Sequence, residues 1–336
     1  MDVGQYSETG SQPQALDDIL AHITSQPKKQ YSQKEIDEAR GKLALMNDRV
    51  FWATFADNKN NDIVKGIADS LRKIHGLADI PQIVRTTVQS ASLLDVLGRG
   101  MVGDLLGEGE AINLAIEAQK EGQSGFAVRG TLSSSNAMRI QFNAGDDFTD
   151  APDVIGINIL GFRLPELANH NMFVSRIVRS NYDTGETFLA DKYSDYYIEI
   201  PKMTSFSKTL LPKEYHDLWD LCCIIKSKVN EHEEVIRMQA VANPVAINLS
   251  QEVRKTVAPN DFVAGTLDRT NELEQLREYI SRRDQKTALK TAEDMLVSAL
   301  QANVPPDAIE SMRKRAGISE TRLAELKHLA QLQSVV

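Results

Sequence analysis

The sequence predicts an α/β protein: a small mixed β-sheet flanked by helices, followed by a helical C-terminal module. Three patterns carry this. Apolar residues recur at helical spacing before residue 75, as in Ile63, Ile67, Leu71 and Ile74. Between residues 83 and 200 the pattern switches to short alternating or apolar runs typical of strands. Beyond residue 270 it returns to helical spacing, with Ala288, Leu289, Ala292, Met295, Leu296, Ala299 and Leu300 on one stripe.

Taken in order, residues 1–31 are polar and read as a flexible tail. A main domain is expected over 32–242. Ser32-Gln-Lys-Glu35 has the form of a capping box and opens its first helix. Helices follow at Asp48–Phe55 and Asn61–Ile74, then a strand at Ile83–Val88. Met101–Leu106 and Ala111–Ala118 read as a hairpin across Gly107–Glu110. A helix is expected over Val128–Phe142, and strands at Asp153–Leu160, Met172–Arg179 and Tyr196–Ile200. Helical character then runs from Pro212 to about Ala242. Residues 243–270, with two prolines and a glycine, read as a linker with at most short helices. Residues 271–336 form the C-terminal module, in which two prolines precede the helix start at Asp307 and Gly317 suits a helix end.

The chain has 336 residues and 42% hydrophobic residues, enough for a sizeable core. Cys222 and Cys223 are adjacent in an apolar run, as expected of buried free thiols in a reducing cytosol. No apolar run approaches the ~18 residues of a membrane span, so a cytoplasmic protein with no membrane partner is expected. The net charge of −9 counts mildly against a surface coated for nucleic acid, though a local basic patch can operate on an acidic chain.

The chemistry concentrates in Asp104 to Gln119. Asp104 adjoins Leu105 and Leu106, and Ile112, Leu114 and Ile116 lead into Glu117. Carboxylates flush against apolar strand residues are costly to bury alone. Two acids and an amide at one end of a hairpin can hold a hard divalent cation and bring it to a phosphate. Solvated surface acids are the plainer reading.

Other motifs point nowhere specific. Gly98-Arg-Gly-Met-Val-Gly103 matches GxGxxG, but no helix-length segment follows it before Glu117, so a dinucleotide site is not expected. The six histidines lack zinc-ligand spacing and read as surface or helix-cap residues. No Gly-x-Ser-x-Gly or P-loop occurs, which leaves a serine hydrolase or an ATPase without support.

Residues from about Asn47 to Met203 resemble the PD-(D/E)xK nuclease family of transposon-associated proteins, which includes the recombination-promoting nucleases. The resemblance rests on Asn47-Asp-Arg-Val-Phe51 through Phe55, on Asp104 with Glu117-Ala-Gln119, on Arg129 opening the next helix, on Ala144-Gly-Asp-Asp-Phe148, and on Val154–Leu160. The Ala292–Lys327 region is similar to the family's tail. Thr131–Asn136 departs from the aromatic and serine residues usual there.

The resemblance implies a restriction-endonuclease-like core and Mg²⁺-dependent DNA cleavage, with Mn²⁺ as a substitute, in a transposase or recombination setting. By position it implies Asp104, Glu117 and the Ala118 carbonyl as metal ligands. Gln119 takes the place of the usual lysine, where its amide can orient water or hold the phosphate but cannot act as a cationic base. Asp48 is implied as an accessory acid. Arg129 either contacts a phosphate or pairs with a nearby acid. A catalytically silent relative that binds DNA or protein, and a small-molecule enzyme using the same acids, remain as alternatives. The C-terminal helices are candidates for a homo-oligomer contact.

Overall fold

The computed structural model describes residues 28–55, 58–88, 105–122, 125–139, 151–188, 192–302 and 304–333. It divides into two compact units, Gln30–Leu267 and a smaller one that includes Asp268–Val336. Among the described residues, no helix is long and apolar enough to cross a membrane.

The larger unit opens with α1 (Gln33–Lys42), α2 (Asp48–Phe55) and α3 (Asn61–Ile74). The capping box forms as the sequence predicts. The Glu35 amide donates to Ser32 Oγ at 3.3 Å, and the Ser32 amide donates back to Glu35 Oε2 at 2.8 Å. The α3 stripe of Ile63, Val64, Ile67, Ala68 and Leu71 is buried.

A six-stranded mixed sheet follows: β1 (Ile83–Val88), β2 (Leu105–Gly109), β3 (Ile112–Gln119), β4 (Asp153–Leu160), β5 (Val174–Val178) and β6 (Tyr193–Glu199). The spatial order is β1-β2-β3-β4-β6-β5. The first three strands are antiparallel, β3, β4 and β6 are mutually parallel, and β5 closes the far edge antiparallel to β6. Parallel neighbours need a crossover, and α4 (Phe126–Arg139) supplies it between β3 and β4.

Side chains alternate across the sheet. Leu114, Ile116, Ile155, Ile157, Ile159, Tyr196 and Ile198 enter the main core. That core is completed by α2, α3, α5 (His216–Lys226) and α7 (Pro244–Val257); α6 (His232–Met238) lies between the last two in sequence. The other face, carrying Ala115, Val154 and Tyr193, is covered by α4 through Ala137.

Two readings of the element boundaries need correction. The hairpin does not turn at Gly107: β2 runs through Gly109, because Gly107 and Glu108 pair with Leu114 and Asn113 and leave only Glu110 and Ala111 for the turn. Residues 243–270 are not a linker. Asn243 caps α7 by accepting from the Val245 amide at 2.9 Å, Pro244 sits in the first turn where no amide is needed, and Ala246, Leu249, Val253 and Val257 enter the core. The next helix, α8 (Asn260–Gln301), starts within the same segment. The prolines therefore mark helix starts.

In the smaller unit, the end of α8 joins α9 (Pro306–Ala316) and α10 (Glu320–Gln333) around Leu296, Ile309, Ile318, Leu323 and Leu326. Gly317 ends α9 at φ +66°, the left-handed conformation that glycine adopts without strain. Arg322 grips Glu293 through two bonds of 2.7 and 2.9 Å.

Candidate functional site at the carboxyl ends of the parallel strands

Open sheets tend to bind ligands beyond the carboxyl ends of their parallel strands. Here those ends are Gln119, Leu160 and Glu199. Phe126, the first residue of α4, is buried at this end with Leu160, Leu164 and Tyr197, and it meets Phe162 edge-on at 5.6 Å. That anchor fixes where the helix begins. Residues three apart share a helix face, so Arg129 follows onto the sheet, and its Nη2 donates to Glu117 Oε2 at 3.3 Å. Glu117 is 2% exposed, whereas the Arg129 side chain is 35% exposed.

The contact between α4 and the sheet is polar and close. Asn158, directly opposite Glu117 on β4, is buried and donates to the Tyr196 carbonyl at 3.2 Å. A Cβ on Gly130 would lie 2.7 Å from Asn158 Oδ1 and 3.2 Å from the Tyr197 hydroxyl oxygen. One turn on, Ser134 donates to Asp195 Oδ1 at 2.5 Å, and the Tyr193 hydroxyl donates to Asp195 Oδ2 at 3.2 Å. Burial holds the Asp195 carboxyl above the usual carboxylate range, against the opposing pull of Ser134, Tyr193 and the Arg179 guanidinium. Burial, with a smaller contribution from Asp195, pushes the Tyr197 phenol up to about 12. At the end of β6, Glu199 accepts from the Leu164 amide at 2.8 Å and pairs with Lys202 at 2.5 Å. Lys202 also donates to the Leu167 and His170 carbonyls, which fixes the loop after β4.

The structure gathers the sequence-predicted residues unequally. Glu117 and Gln119 share the α4 face of β3 by strand alternation. The Gln119 carbonyl accepts from the Gly161 amide at 2.8 Å. Ala118 turns its side chain into the main core. Arg129 joins Glu117, and of its two expected roles the pairing with an acid is the one observed. Asp48 is exposed at the start of α2, whose Val50, Phe51 and Phe55 belong to the core on the opposite face of the sheet from Glu117. Asp104, the glycines at 98–103 and the 144–148 turn lie outside the described residues. The described β2–β3 register ends with Leu105 opposite Ile116, so β2 enters the sheet at the Glu117 end of β3.

Asn158, Ser134, Asp195, Glu199 and Lys202 were not anticipated. A signal for two of them exists, since Asp195, Tyr197 and Glu199 recur at strand period in Tyr193–Glu199 and mark a second polar-facing row. Among the histidines, His232 corrects the surface reading: it is fully buried, with Nδ1 3.1 Å from Ser250 Oγ. Cys222 and Cys223 are buried free thiols.

On β3, the side-chain oxygen donors at this end are the Glu117 carboxylate and the Gln119 amide. Among the described residues, no group of three or more His, Cys, Asp or Glu side chains is arranged to hold a metal ion. The chain matches no protein-family model, no curated protein and no solved structure.

Proposed function

We propose that the protein is a Mg²⁺-dependent DNA endonuclease with a restriction-endonuclease-like core, of the transposase or recombination-promoting type. The observation that supports it best is Glu117: an acid buried at the carboxyl end of a parallel strand, with a cationic side chain laid against it. A carboxylate buried there needs positive charge, and a divalent cation meets the same need. Mg²⁺ prefers hard oxygen donors. Glu117, Asp104 and the Ala118 carbonyl are such donors, with water completing the shell. When bound, the cation would neutralise charge on the scissile phosphate and make water more acidic.

The remaining work falls to side chains. Gln119 presents an amide on the Glu117 face of β3, suited to donating to a phosphate oxygen or orienting water. Arg129, with its guanidinium partly in solvent, offers a phosphate contact. Asp48, exposed at the start of α2, is carried as an accessory acid by the resemblance alone.

A second reading is a catalytically silent relative that binds DNA or protein. It is favoured by the Arg129–Glu117 pair, which already neutralises the acid. Supercoiled plasmid incubated with Mg²⁺, or with Mn²⁺ in its place, separates the two. Glu117→Gln and Asp104→Ala should each lower nicking by about a hundredfold or more. Equal nicking by wild type and both variants would overturn the nuclease. DNA retention by wild type in a mobility-shift assay, with no cutting in either metal, would favour the silent binder.

A further inference from the structure

The Glu117 carboxylate, proposed above as the cation's ligand, is already engaged. Arg129 Nη2 lies 3.3 Å from Glu117 Oε2, and Glu117 is nearly sealed while Arg129 is one-third open to solvent. We infer that Arg129 is an exchangeable counter-ion, which keeps Glu117 neutralised until a divalent cation displaces it and which then becomes a ligand for a phosphodiester oxygen. The inference rests on the reading of Glu117 as a cation ligand.

The physical case has three parts. First, a guanidinium and a divalent cation on the same carboxylate oppose each other, because the two positive charges repel across a few ångströms in a medium that screens poorly. Second, the two partners differ in freedom. Glu117 is fixed in β3, opposite Asn158 of β4, and its chain neighbours Ile116 and Ala118 are core residues. Arg129 has a long side chain in the first turn of α4, and a guanidinium that leaves the acid can remain hydrated. Exchange therefore moves the arginine and spares the sheet. Third, the helix itself stays put. Phe126 on one side of Arg129 and the Gly130–Asn158 and Ser134–Asp195 contacts on the other hold α4 to the sheet independently of the ion pair. A released guanidinium thus remains tethered at the strand end, where a planar fork of donors suits a phosphate.

The test uses the full-length protein and measures Mn²⁺ binding by electron paramagnetic resonance, with wild type, Arg129→Gln and Glu117→Gln compared. Arg129→Gln should bind Mn²⁺ about tenfold more tightly, the scale of one charge-assisted hydrogen bond to a partly exposed partner. Glu117→Gln should lose the site. In Ca²⁺, the affinity of Arg129→Gln for a short DNA duplex should fall, and the slope of log K against log salt should shrink by about one. Unchanged or weakened Mn²⁺ affinity in Arg129→Gln would overturn the exchange while leaving Glu117 as a ligand. Absence of Mn²⁺ binding in wild type and Arg129→Gln alike would overturn the reading of Glu117 and the inference with it. Should Arg129→Gln fail to fold, the arginine Nε–H resonances of the wild type decide the matter. The Arg129 signal, assigned with Arg129→Lys, should move on adding Mg²⁺; a stationary signal in a protein that binds Mg²⁺ would overturn the exchange.

Discussion

Substituting Gly156 by alanine tests the close fit between α4 and the sheet. A Cβ at this position would lie 1.9 Å from Asp195 Oδ1 and 2.3 Å from Ser134 Oγ. Ordinary contact begins near 3.4 Å, so both oxygens would have to retreat by an ångström or more, and they are bonded to each other at 2.5 Å. Neither can move into solvent, because both side chains are buried. Overpacking a core by one methyl costs ~1–3 kcal/mol, and losing a buried hydrogen bond to a polar group left behind costs ~1–3 kcal/mol, which together put the loss at about 2–6 kcal/mol. That is a large share of the ~5–15 kcal/mol typical of a folded domain. Urea unfolding followed by tryptophan fluorescence measures it, since both tryptophans, Trp52 and Trp219, lie in the larger unit. Removing the nearer oxygen should relieve part of the clash. The cost of Gly156→Ala in an Asp195→Ala background should therefore be smaller by at least about 1 kcal/mol. A loss under about 1 kcal/mol in the single variant, or the same loss in both backgrounds, would refute the steric argument.

Other consequences follow from buried groups. Lys202→Met leaves Glu199 charged and buried and should cost about 3–5 kcal/mol, while Lys202→Met with Glu199→Leu should recover much of it, as read from urea midpoints; equal midpoints for the single and double variants would argue against the pair. Burial lowers the His232 pKa, so the unfolded chain takes up this proton near pH ~6.5 while the folded chain resists it. The resulting stability is present above that pH and is lost as pH falls through the lowered folded value. His232→Gln should flatten the slope below about pH 6.5, and an unaltered slope would count against burial as its cause. Burial raises both cysteine thiols, Cys223 to about 11 and Cys222 further; a disulfide reagent should label neither thiol in the native protein and both in denaturant, and fast native labelling would contradict their burial.

Much of the fold was legible in local pattern. Ser32 with Glu35, the α3 stripe and the apolar run of β4 each specify an element through contacts within a few residues or through a period that matches one geometry. The errors occur where a residue has two local meanings. Pro244 can end a segment or open a helix, and it opens one because Asn243 caps it and α7 has an apolar face to bury. Gly107 and Gly109 can make a turn or sit in a strand; a Cβ on Gly109 would come within 2.9 Å of the Gln82 carbonyl oxygen, so a neighbouring strand decides.

For the candidate site, the chain by itself determined that Glu117 ends an apolar strand and is followed by an amide on the same face, because alternation along a strand is a local property. It could not determine that Arg129 neutralises that acid, that Asn158 lies opposite it, or that Asp195 meets Ser134 across 61 positions. Those partners depend on strand order and on how closely α4 approaches the sheet. A buried charge or hydroxyl finds its partner among whatever side chains packing brings within ~3 Å, and only the assembled tertiary structure fixes which ones those are.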